Sequence, residues 1–101
     1  MTQLAKAHDA IITAINALRA EQVRVQNARY EEEAAISHAC DVIYNHEYEE
    51  EARYSDAEYT ASKEEYDVYC DVMAIIDATE KDLTAYIRDL SVLASNVHTM
   101  M

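Results

Sequence analysis

Glycine and proline are both absent from this 101-residue chain. Glycine gives the backbone access to positive φ, and proline terminates helices. Without either, hairpin turns and phosphate-cradling loops lose their usual means of construction. Basic residues are scarce: eight Lys and Arg stand against 20 Asp and Glu, a formal charge of −12. A field of that sign opposes the approach of nucleic acid or anionic lipid. No stretch nears the ~20 consecutive apolar residues of a membrane span. The first apolar run (Ile11, Ile12, Ala14, Ile15) is cut by Asn16 and Arg19 and follows no basic cluster, which is unlike a secretory signal. The two cysteines, Cys40 and Cys70, form no CxxC pair. They are expected to be reduced thiols in a cytoplasmic protein, packed as small buried hydrophobes.

What these absences leave is helix, and the apolar spacing agrees. From Tyr66 onward, apolar residues recur at alternating intervals of three and four: Tyr66, Tyr69, Met73, Ile76, Leu83, Ile87, Leu90, Ala94, Val97 and Met101. This is a coiled-coil seam. Glu80 interrupts it, and Thr79 followed by Asp82 can cap a new helix, so a kink is expected near 77–80. The N-terminal half carries a weaker seam in Leu4, Ile11, Ile15, Leu18 and Val25, resuming at Ile36, Ala39 and Ile43. The gap falls at Glu31, Glu32 and Glu33. With Asn27 as an N-cap and acids suited to a first turn, a break is expected near 27–30.

Ser55 with Glu58 and Ser62 with Glu65 are both S-x-x-E capping boxes, and apolar periodicity lapses between them. The expected architecture is therefore all-α, in one domain: an antiparallel helical hairpin or kinked bundle with a coiled-coil-like seam. Its N-terminal arm runs about 3–54, its reversal about 55–61 and its C-terminal arm about 62–99. A hairpin tip at Ser55 pairs positions whose numbers sum to ~110, which sets Cys40 opposite Cys70. Val72, Ile75, Tyr86 and Leu93 flank the seam and call for further helical cover. That cover comes from the N-terminal arm folding back or from a second copy, and a homodimer is the expectation.

The segment from Glu31 to Glu65 holds twelve acidic residues against Arg53 and Lys63, a net charge of −10, together with Tyr44, Tyr48, Tyr54 and Tyr59. As a helix it would carry one net negative charge per ~5 Å, against one per ~1.7 Å of duplex DNA. That density imitates one strand or a short stretch of duplex. Tyrosine suits such a surface because it offers a rigid apolar contact with a polar tip. A charge run can also be a plain solvated face, but solubility is normally met with both signs interspersed.

Within this segment Glu47-x-x-Glu50 precedes Glu64-x-x-Asp67. The pattern resembles the ExxE…ExxD signature of the MazG-like all-α nucleoside triphosphate pyrophosphohydrolases over about 20 residues. The resemblance implies that Glu47, Glu50, Glu64 and Asp67 hold Mg²⁺ through hard carboxylate oxygens. The chain departs from the family: no glycine accompanies the first pair, and the basic residues that would hold a triphosphate are the scattered Arg53, Lys63, Lys81 and Arg88. No Glu stands three residues before any histidine, and His38, Cys40 and His46 diverge around a helix.

The leading expectation is a non-enzymatic protein without cofactor or metal, whose acidic middle occupies a basic groove of a nucleic-acid-binding protein as a polyanion mimic. In size, charge and helicity it resembles the small acidic inhibitors that phages direct at host nucleases and CRISPR complexes. The expected contact residues are Glu47, Glu49, Glu50, Glu51, Asp56 and Glu58, with Tyr48 and Tyr54 as anchors. The alternatives are a structural coiled-coil module for self-association and the pyrophosphohydrolase.

Overall fold

The computed structural model describes residues 2–101 and contains two helices, α1 (Gln3–Tyr48) and α2 (Asp56–Met100), packed against each other as an all-α hairpin. Among the described residues there is no strand, and no helix is long and apolar enough to cross a membrane. Thr2 opens α1, its Oγ1 accepting the Ala5 N–H at 3.1 Å. Ser55 and Glu58 open α2 with a reciprocal capping box: Ser55 Oγ accepts the Glu58 N–H at 3.1 Å, and Glu58 Oε2 accepts the Ser55 N–H at 2.8 Å. Both serine boxes were open to the sequence, and only the first forms. The reversal therefore occupies residues 49–55 rather than 55–61, and α2 begins at Asp56 rather than near 62. Ser62 is instead buried inside α2. It lies four residues before Tyr66 on the seam spacing, where a small side chain lets the helices approach.

The break expected near 27–30 does not occur, because α1 runs unbroken to Tyr48. Arg29 and Glu32 are half-buried and hold the three-four rhythm between Val25 and Ile36. Arg, Glu and Ala are also strong helix formers, so the acidic run costs the helix little. No new helix is capped at Thr79, since α2 stays helical through 77–80 with half-buried Glu80 at the seam position between Ile76 and Leu83.

Contacts divide the chain into two compact units. One comprises the segment up to Gln26 with that from Asp77 onward, and the other is Asn27–Ile76. In the first, Ile15, Leu83, Ala94 and Val97 are buried, with Ile11, Leu18, Ile87 and Leu90 half-buried around them. His8 and His98 lie with ring centroids 5.7 Å apart. In the second, Ile36, Ala39, Val42 and Ile76 are buried, together with the polar Asn45 and Ser62. Most of the seam expected from spacing is observed as buried or half-buried positions, while Leu4, Tyr66 and Met101 are exposed. Of the flanking residues that called for cover, Val72 is half-buried, whereas Ile75, Tyr86 and Leu93 are exposed.

Candidate protein interface

The acidic charge follows the division into units. Residues 27–76 hold 14 Asp and Glu against Arg29, Arg53 and Lys63, a net of −11, whereas the other unit holds six acids against five bases, a net of −1. The hairpin tip belongs to the acidic unit.

That tip is built without glycine, and no described residue adopts positive φ. Asn45, 1% exposed, takes over the task. Its Nδ2 donates to Glu49 Oε2 at 3.0 Å and to the Glu51 carbonyl at 3.1 Å, and its Oδ1 accepts the Arg53 N–H at 3.0 Å. One buried amide thus satisfies two backbone groups within the reversal, the Glu51 carbonyl and the Arg53 N–H. Arg53 Nη2 donates to Glu49 Oε2 at 2.6 Å. The Arg53 hydrogen bond, followed by that from Asn45, lowers the Glu49 carboxyl below its ordinary range, and the same pairing raises Arg53.

A second cluster ties α1 to the start of α2. His46 stacks on Tyr59 with ring centroids 3.8 Å apart and 11° between planes, and its Nε2 lies 3.2 Å from Asp56 Oδ1. The Tyr59 hydroxyl donates to Glu47 Oε1 at 2.6 Å, which raises the Tyr59 pKa. Lys63 Nζ lies 3.7 Å from the same Glu47 oxygen. Tyr54, half-buried, meets His38 edge-on at 5.7 Å.

These contacts sort the residues expected to meet a partner. Glu47, Glu49 and Glu58 spend their carboxylates on Tyr59 and Lys63, on Arg53 and Asn45, and on the Ser55 cap. Tyr54 packs on His38. Tyr48, Glu50 and Glu51 are presented, with Tyr48 72% exposed, and Asp56 is exposed beside its contact with His46. Tyr44, not among the expected contacts, stands beside Tyr48 at 5.3 Å and is 59% exposed. It lines two shallow grooves: one of about 330 Å³ with Cys40, Ile43, Glu47, Tyr48, Lys63 and Tyr66, and one of about 220 Å³ with Asp41, Glu49, Arg53 and Tyr54. Its four-residue spacing from Tyr48 was the available signal, since positions i and i+4 share a helix face.

Cys40 and Cys70 are exposed rather than buried. Each follows a seam residue, Ala39 and Tyr69, by one position, which turns it about 100° out of the seam. Both act on Tyr66, whose hydroxyl is raised first by the charge of Cys70, then by its hydrogen bond with Cys70, with a smaller effect from Cys40. Glu47, Glu50, Glu64 and Asp67 are not gathered into a site. Among the described residues no three His, Cys, Asp or Glu side chains are placed to hold a metal. No family model, curated protein or solved structure matches this chain at a significant level.

Proposed function

We propose that this protein acts by binding rather than catalysis, presenting its acidic unit to a basic surface on a nucleic-acid-binding protein and competing there with DNA or RNA. The observation that carries this reading is the partition of charge: residues 27–76 hold −11 of the −12, and that unit also exposes Tyr30, Tyr44 and Tyr48. A one-signed field of this kind accelerates encounter with a basic partner. The tyrosines supply the short-range contact that charge alone does not. A partner whose nucleic-acid site is covered in this way is inhibited, which is the role foreseen for a small acidic antagonist of a nuclease or CRISPR complex.

The reading distinguishes presented acids from those that build the tip. Joint Glu50→Lys and Glu51→Lys substitution weakens capture of the basic partner and its salt dependence, while circular dichroism and melting stay near wild type, because exposed charges add little folding energy. Glu49→Lys, by contrast, lowers the melting temperature by removing the Arg53 pair. Undiminished capture by the Glu50/Glu51 variant would refute the proposed face.

A further inference from the structure

We propose that two copies of this chain pair through a second apolar stripe on the near-neutral unit, centred on Leu93. In this part of α2 the seam positions Leu83, Leu90 and Val97 are buried or half-buried against α1 within the same unit. Beside them, Tyr86, Leu93 and Met100 recur every seven residues and are 59%, 47% and 62% exposed. A two-stranded coiled coil needs two apolar positions in seven, whereas a third belongs to helices that have a further helical neighbour. The chain provides one neighbour, and the stripe marks the place of another.

Charge selects a second copy as the occupant. Pairing through residues 27–76 would bring −11 against −11, while the unit that carries the stripe has five bases and six acids, a net of −1. Self-association is electrostatically open only there. The stripe also suits a two-fold axis, because an isologous interface meets its own patch reversed. With the axis at Leu93, Leu93 meets its counterpart, and Tyr86, seven residues to one side, meets Met100, seven residues to the other. A thioether against an aromatic ring is a favourable contact. This pairing is independent of the acidic face and would give each assembly two of them.

Sedimentation equilibrium tests the pairing. The wild type is expected at twice its 11.5 kDa chain mass. Leu93→Glu should raise the dimer dissociation constant at least about tenfold with helicity retained, since truncating or charging a central anchor has effects of that size. Val68→Glu, at a more exposed apolar position in the acidic unit, should leave the dimer intact. If Leu93→Glu fails to fold, Leu93→Cys with Cys40→Ser and Cys70→Ser decides the matter. Mild oxidation should link it into a covalent dimer, because the axis brings the two positions together. A monomeric wild type, a folded Leu93→Glu variant that dimerises like the wild type, or a Leu93→Cys chain that does not cross-link would each overturn the proposal.

Discussion

Asn45 is the side chain on which the reversal depends. It makes three hydrogen bonds, to Glu49, Glu51 and Arg53 of the reversal, while almost wholly buried. Asn45→Ala removes the partner of the Arg53 N–H and the Glu51 carbonyl; both residues are exposed, so water takes over part of the loss and the expected cost is about 1–3 kcal/mol in all. Asn45→Asp should be worse, because it keeps the acceptor for Arg53 but sets a second carboxylate against Glu49. Urea denaturation measures both; a cost no larger than that of an exposed Glu64→Ala would contradict this role. Glu49 adds a pH dependence. Its folded pKa is depressed, first by Arg53 and then by Asn45, so its contribution is present above the ordinary glutamate value of ~4.3 and is lost as pH falls toward the lower folded value. In Glu49→Gln that part of the acid limb should flatten. Tyr59 has the opposite sign: its raised pKa means that its hydrogen bond to Glu47 stabilises the fold below the ordinary tyrosine value of ~10 and is lost as pH rises through the folded value.

The helices hold together through the seam and are started by their caps. Leu83→Ala should cost about 2–5 kcal/mol, as expected for a buried leucine, while the neighbouring exposed Asp82→Ala should stay within about 0.5 kcal/mol. Ser55→Ala should cost about 0.5–2 kcal/mol through loss of its half of the capping box, whereas Ser62→Ala, inside the helix, should not produce a cap phenotype. Similar chemical denaturation midpoints for Leu83→Ala and Asp82→Ala would remove the seam from this picture. The apolar spacing made the seam legible directly, since Ile36, Ala39, Ile76, Leu83, Ala94 and Val97 can be picked out by counting threes and fours. The reversal was legible only as two serine boxes of equal quality. What decides between them is a non-local fact: Asn45 can reach Glu51 and Arg53 only if the chain turns before Ser55. Reading the Glu31, Glu32 and Glu33 run and Glu80 as helix breaks failed for a related reason. A long polar side chain can lay its stem along a seam while its head stays in water, so polarity at one heptad position does not stop a helix. The cysteines were misplaced by a single position beside Ala39 and Tyr69, which in a helix is enough to reverse burial.

The chain joins an acidic unit to one that is close to neutral, and a separate interaction surface is proposed on each. The acidic surface is legible as a stretch of sequence between Glu31 and Glu65, while the contacts its side chains make with one another depend on the turn. Glu47, Glu49, Tyr54 and Glu58 also make contacts within the tip, and Tyr44 lines both grooves. An interface resting on exposed charge should weaken steeply with added salt, as the Debye length falls from ~10 Å at 0.1 M to ~3 Å at 1 M. The stripe on the other unit, being apolar, should be far less sensitive. Sedimentation and partner binding measured over the same salt series should therefore diverge, with dimerisation persisting where partner binding is lost. The most direct test of the polyanion reading is competition. Basic proteins captured from a bacterial lysate on the immobilised chain are challenged with duplex DNA and with single-stranded RNA, and release is measured beside that from a Glu50→Lys/Glu51→Lys column. Release by nucleic acid, together with failure of the variant to capture the same proteins, is the expected result. Proteins that stay bound to the chain while also binding nucleic acid at undiminished affinity would contradict it.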